Sequence, residues 1–177
     1  VADSPIGEFS VDDLYQALEQ QRQSRNLSWR QVADQIWDLS KVLNEGRNDH
    51  PISPSTLSRM GVSHETSCQH ALFMLRWLQR TPESFLHGAI TAPNSTLPNV
   101  GPDRRLRWNL KKLYEAMNDQ RRERGLTWKE LAEILRCTPS QLTGLRTAKF
   151  ATGMKLAMRV TQWLGRPASD FVYAARW

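Results

Sequence analysis

In residues 104–177 the apolar positions Leu106, Leu110, Leu113, Tyr114 and Met117 recur every three or four residues, a spacing that lines one face of a helix. Gly125 is placed to end that helix in the left-handed conformation. Thr127-Trp128-Lys129-Glu130 then has the form of a capping box, in which the hydroxyl and the carboxylate satisfy orphan amides at the start of a second helix. A short turn at Arg136-Cys137 follows. Thr138-Pro139-Ser140-Gln141 supplies a cap, a proline where its missing N–H costs nothing, and a glutamine three residues after the cap, so a third helix starts there. Leu156, Ala157, Val160, Trp163 and Leu164 line a fourth helix ending at Gly165, and Pro167 to Val172 fit a fifth. No alternating strand pattern bounded by turn residues is present, which predicts an all-α fold.

The pattern occurs twice. Sliding the chain by 99 residues aligns Leu14–Ala33 with Leu113–Ala132, with nine of twenty positions identical. Chance would give about one or two, so the unit is duplicated. The match resumes at smaller offset with Ser53-Pro54-Ser55-Thr56-Leu57 against Thr138-Pro139-Ser140-Gln141-Leu142, and continues with Trp77-Leu78 against Trp163-Leu164 and Phe85 against Phe171. The first copy therefore carries about 14 extra residues between its second and third elements, within 38–52. The stripe Val32, Ile36, Leu39, Leu43 predicts that the second helix runs on into this insertion. Residues 88–103, rich in Pro, Gly, Asn and Ser, read as a flexible linker between a unit at 10–87 and another at 104–177.

Composition sharpens this in one respect. The chain has 177 residues, 40% apolar and 24% charged, a globular balance. No apolar run approaches the roughly 20 residues needed to span a bilayer and no leader pattern opens the sequence, so a cytoplasmic protein with no membrane partner is expected. Residues 1–87 carry 8 Lys+Arg against 11 Asp+Glu, and residues 88–177 carry 16 against 7, giving −3 and +9 within a net +6. The basic half favours a polyanionic partner. In the first half, Ala71-Leu72-Phe73-Met74-Leu75-Arg76-Trp77-Leu78 is apolar nearly all round, and such a helix must be covered on more than one side. The cover is expected from the insertion and from an interface, either between the two copies or with a second chain as a homodimer.

Trp128-Lys-Glu-Leu-Ala-Glu-Ile-Leu, a short turn and Thr-Pro-Ser-Gln-Leu-Thr-Gly-Leu-Arg-Thr-Ala-Lys149 resemble the helix-turn-helix of the λ-repressor/Cro-like (XRE) DNA-binding family. The resemblance covers about 70 residues of the second copy and, with the interruption, a similar span of the first. It implies two tandem bundles of four to five helices and double-stranded DNA as partner, with the third helix of each unit in the major groove and the start of the second against phosphate.

On that implication Ser140 and Gln141 address base edges, with Thr143 and Arg146 as further candidates, while Trp128, Lys129, Thr147 and Lys149 contact phosphate. The matching residues of the first unit are Trp29 and Arg30 at the second helix and Ser55, Thr56, Ser58 and Arg59 at the third, Arg59 being able to take guanine O6 and N7. The bland alternative is that the small polar residues only cap and solvate a surface helix, and that the two tryptophans pack on the preceding helix. Arg104, Arg105 and Arg107 are read as cations near a helix start, facing phosphate or solvent. His64, Cys68 and His70 lack a fourth metal ligand, and no nucleophile, base and acid fall at catalytic spacing, so neither a metal, a cofactor nor an enzymatic activity is expected. The resulting expectation is a bacterial or phage-type transcriptional regulator. The competing class is a protein-interaction module, antitoxin-like or scaffolding, that keeps the fold without reading DNA.

Overall fold

The computed structural model describes residues 6–148 and 152–176. It is mainly helical. The first half runs β1 (Glu8–Phe9), α1 (Val11–Ser24), α2 (Trp29–Asp38), α3 (Pro54–Ser63), α4 (Cys68–Leu78), a 3-10 turn (Pro82–Phe85) and β2 (Leu86–His87). The second half repeats the order as β3 (Arg105–Trp108), α5 (Leu110–Glu123), α6 (Trp128–Leu135), α7 (Pro139–Thr143), a 3-10 turn (Gly144–Arg146), α8 (Met154–Leu164), a 3-10 turn (Ala168–Phe171) and β4 (Val172–Ala175).

The caps read from sequence form as hydrogen bonds. Both halves of the capping box are present at Ser28/Gln31, Thr127/Glu130 and Thr138/Gln141. Ser53 starts α3 by accepting from the Thr56 amide at 3.1 Å.

The all-α expectation holds for the bulk of the chain but misses two small antiparallel sheets. Glu8–Phe9 pairs with Leu86–His87, and Arg105–Trp108 with Val172–Ala175. Leu106, expected on a helix, lies in β3 because Asn109 caps α5 and forces its start to Leu110; Leu106 and Trp108 then alternate inward with half-buried Arg105 and Arg107. The fifth helix expected over Pro167–Val172 is a 3-10 turn leading into β4, since Val172 is claimed by the ladder opposite Trp108. These strands are too short for a periodic signal, and each exists because the other end of its own half returns beside it.

The insertion does not extend α2, which ends at Asp38. Residues 39–46 instead turn back, with the Val42 and Leu43 amides both donating to the Pro102 carbonyl at 3.1 Å and the Asn44 amide group donating to Trp37 O at 3.0 Å. Residues 88–103 lack regular structure, yet they are pinned rather than tethered loosely. Thr91 bonds Gln162, Ser95 bonds Ser169, and the Arg76 guanidinium donates to the carbonyls of Leu39, Val100, Gly101 and Arg104. Arg76 holds its proton less firmly than an ordinary arginine because burial strips its solvent.

The apolar helix α4 is covered inside the chain. Ala71, Leu72, Phe73, Met74, Leu75, Trp77 and Leu78 are all buried, and α4 packs on α1, α2, α8 and β3. Each fully buried leucine there contributes roughly 1.5–3 kcal/mol. The cover thus comes from both halves of the same chain, α1 and α2 on one side and α8 and β3 on the other, so the girdle that suggested a second chain is buried internally. One apolar core runs through both halves.

The contact between the halves is reciprocal. The Cys68 amide donates to Thr152 O at 2.8 Å and the Met154 amide to Thr66 O at 2.9 Å, with Ser67 opposite Gly153 as an antiparallel bridge. Cys68 corresponds to Met154 and Thr66 to Thr152 at an offset of 86, so each bond is the image of the other. This is the contact pattern of a two-fold interface, made here within one chain.

Candidate nucleic-acid interface

Most of the nine repeated identities build a frame that presents the surface rather than the surface itself. Tyr15 lies against Trp29 and Tyr114 against Trp128, both at 5.8 Å between ring centroids. Arg22 covers the other ring at 5.0 Å and donates to Leu27 O, while Arg121 covers its counterpart at 4.4 Å and donates to Leu126 O. Gln21 and Gln120 reach the carbonyls of Trp77 and Trp163, and Arg25 and Arg124 lie over those same indoles. Trp29 and Trp128 are therefore half-buried wedges that fix α2 on α1 and α6 on α5, a packing role that leaves each ring partly exposed.

The remaining candidates divide by exposure and by how far their polar atoms are already used. Arg30 and Lys129 stand exposed at the starts of α2 and α6. Ser55, Arg59, Ser140, Gln141, Thr143, Arg146 and Thr147 are exposed, Thr56 and Ser58 half-buried, and Lys149 lies outside the described residues. The leading edges of α3 and α7 are thus open to a partner. Their small polar groups are nonetheless tied to their own helices. Gln141 Oε1 accepts from the Thr138 amide at 2.8 Å, Ser58 donates to Ser55 O, Thr143 donates to Pro139 O, and Ser53 shares hydrogen bonds with Ser55 and Thr56. A bidentate approach of Gln141 to adenine would need its Oε1 released from the cap.

Thr56 and Arg59 of α3 and Gln141 of α7 line one cleft of about 670 Å³, which also takes in both paired caps, Ser67 and Gly153. Among the described residues four cations line it, Arg59, Arg136, Lys155 and Arg159, against a single carboxylate, Glu65. Three of these four were missed from sequence. Arg136 stands at the left-handed end of α6, and Arg159 reaches back from α8 to the carbonyls of Leu135 and Arg136, bracing the α6–α7 turn. Both also hold Glu8 of β1, at 2.9 Å from Arg136 and 2.7 Å from Arg159. The only advance signal for these residues was the +9 charge of the second half, which carries no position.

Arg105 and Arg107 belong to β3, not to a helix start, and Arg104 pairs with Asp103 at 3.1 Å. Cys68 is buried, and burial pushes its thiol up to about 12, an inert core group. His64, in the same sequence pattern, points instead to Asp12. No group of three or more metal-binding side chains occurs among the described residues, and no helix among them is long and apolar enough to cross a membrane. Comparison with protein-family models, with curated proteins and with solved structures returns no match.

Proposed function

We propose that the chain is a sequence-specific double-stranded DNA-binding regulator made of two λ-repressor-like helix-turn-helix bundles, residues 10–87 and 104–177, joined face to face as a covalent pseudo-dimer. The observation that carries this reading is the cleft. Equivalent first turns, at half-buried Thr56 and exposed Gln141, border one cationic surface that straddles the reciprocal contact between the halves. A duplex presents repeated phosphates to such a surface, and a two-fold arrangement of reading helices suits two half-sites of inverted sequence. Arg30, Lys129, Arg59 and Arg136 contact phosphate in this reading, while Ser55, Ser140 and Gln141 lie where base edges would approach, with Thr143, Arg146 and Thr147 flanking them.

Selection of bound sequences from a random duplex pool by the full chain tests it. A pseudo-palindromic motif is expected, with affinity falling steeply between about 50 and 200 mM salt. Binding without sequence preference, or no duplex binding at low salt, would leave the interaction-module reading in its place. Gln141→Glu separates readout from folding. Glutamate is a standard third-position partner in a capping box, so the fold is retained, while a new negative charge at the reading edge lowers duplex affinity by roughly tenfold or more.

A further inference from the structure

The first half reaches into the α6–α7 turn of the second through one carboxylate. Glu8 of β1 meets the Arg159 guanidinium edge-on: Nε donates to Oε1 at 3.2 Å and to Oε2 at 2.9 Å, and Nη2 donates to Oε1 at 2.7 Å. The remaining nitrogen, Nη1, donates to the carbonyls of Leu135 at 3.3 Å and Arg136 at 3.2 Å. Carbonyls at a helix end lack partners inside the helix, so these two depend on such a donor. A guanidinium is a rigid planar fork, and holding one edge on a carboxylate fixes where the other edge points. Arg159 is only 19% exposed, so water competes weakly with these bonds.

The segment held in this way is otherwise weakly constrained. Arg136 closes α6 with φ 56° and ψ 49°, a left-handed conformation unfavourable for a residue with a Cβ. Thr138 caps α7 two residues later, and α7 has five residues, too few for its own hydrogen bonds to settle its direction. That direction is inherited from the turn. Glu8 also takes Arg136 itself, whose Nη2 donates to Oε2 at 2.9 Å. Arg136 is 58% exposed and lines the cleft, so its other N–H groups are presented there in an orientation that Glu8 sets. The duplicate position cannot do the same. At the offsets of the repeat, Glu8, Arg136 and Arg159 correspond to Arg107, Trp37 and Phe73, a set without a carboxylate.

We propose that Glu8 is a positioning residue for the third helix of the other half: through Arg159 it fixes the α6–α7 turn, and through Arg136 it aims a cation at the cleft. The N-terminal strand of the first half thus completes the α6–α7 unit of the second. Its part in DNA recognition rests on the proposed function; the hold on the turn does not.

Hydrogen exchange on the full chain without DNA tests that hold. The Cys137 and Gln141 amides, bonded to Ala132 O at 3.0 Å and Thr138 O at 3.1 Å, report on the turn and α7. The Leu57 and His64 amides, bonded to Ser53 O and Met60 O, report on α3. In Glu8→Gln, and in Arg159→Met, which breaks the link from its other end, exchange at Cys137 and Gln141 should quicken about fivefold or more while Leu57 and His64 stay within about twofold. Unchanged exchange at the turn, or equal quickening in both halves, overturns the proposal. Should neither variant fold, the Arg159 Nε–H resonance of the unmodified chain decides: slow exchange with water supports the fork, and exchange as fast as that of the exposed arginines rejects it. Sequence selection then reads the consequence for DNA. Single base substitutions in the half-site that Ser140→Ala affects should cost the Glu8→Gln chain about threefold or less, against about tenfold for the unmodified chain, with the other half-site unaltered. Loss spread over both half-sites, or no loss, rejects the part of Glu8 in recognition. Failure of the unmodified chain to select any motif removes the proposed function and leaves the exchange result standing.

Discussion

The two halves share a frame and differ on the surface the frame carries. Tyr15, Gln21, Arg22, Arg25 and Trp29 make in the first half the contacts that Tyr114, Gln120, Arg121, Arg124 and Trp128 make in the second. At the third helix the copies part: α3 is regular for ten residues, whereas α7 stops after five and continues as a 3-10 turn. Gly144 sits at that break, where glycine costs about 1 kcal/mol against helix, while the first copy has Arg59 in its place. Glycine occurs in α3 two residues later, at Gly61, for a different reason. A Cβ there would meet the Tyr15 ring at 2.8 Å, so Gly61 lets α3 approach the Tyr15–Trp29 pair. Duplicated positions thus hold the same residue where both copies need the same contact, and diverge where each half faces something different.

The comparison is most severely tested at the shared interface. Leu75 of α4 is fully buried, and its counterpart Thr161 of α8 is equally buried, with its hydroxyl donating to Met158 O at 2.9 Å. Leu75→Ala should cost ~2–5 kcal/mol in denaturant unfolding and destabilise both halves in one transition, because the core is continuous. Two separate transitions would mean that the halves fold independently. Next in size, Gly61→Ala should cost ~1–3 kcal/mol by overpacking against Tyr15, whereas Gly144→Ala, whose Cβ would meet nothing within 4 Å, should be neutral or stabilising in the same assay.

A smaller contrast lies in the frame itself. Arg22 bonds the Glu19 carboxylate, and Arg121 the neutral Asn118 amide oxygen. The Arg22 bond holds the Glu19 carboxyl below its ordinary range, so this part of the stability is fully present above the unfolded glutamate value and is lost as pH falls from there through the lowered folded value. Arg22→Ala should therefore destabilise more at pH 7 than at pH 3, while the cost of Arg121→Ala changes little over that window. Thermal melts of both variants at the two pH values check this, and parallel behaviour would show that Glu19 is not what separates the copies. Smallest of all, Arg30→Ala and Lys129→Ala should each lower the slope of log affinity against log salt by about 1 in duplex binding. A change for one residue only would show that the halves contribute unequally to phosphate contact.

Local signals in the chain were enough for the helix starts, because a cap, a proline and a third-position Glu or Gln act within four residues: Ser28, Ser53, Thr127 and Thr138 all cap where they were expected to. The repeat and the polar first turns of α3 and α7 were legible for the same reason. What local pattern could not supply was anything made by residues far apart. Glu8 reaches Arg159 across 151 positions, and Gln69 reaches Leu106 across 37. The sheets and the cleft are of this kind. Stripes misled where the ladder or the interface outbid them, as at Leu106 and at Leu39–Leu43.

The sequence by itself determined that this protein is built from two like sets of capped helices, since caps and apolar periodicity are short-range properties of the backbone. Tertiary structure alone decided that the sets close on each other through α4 and α8 and that the insertion folds back. Those choices depend on which buried surfaces fit and which backbone amides find partners across the chain, and no window of neighbouring residues contains that information.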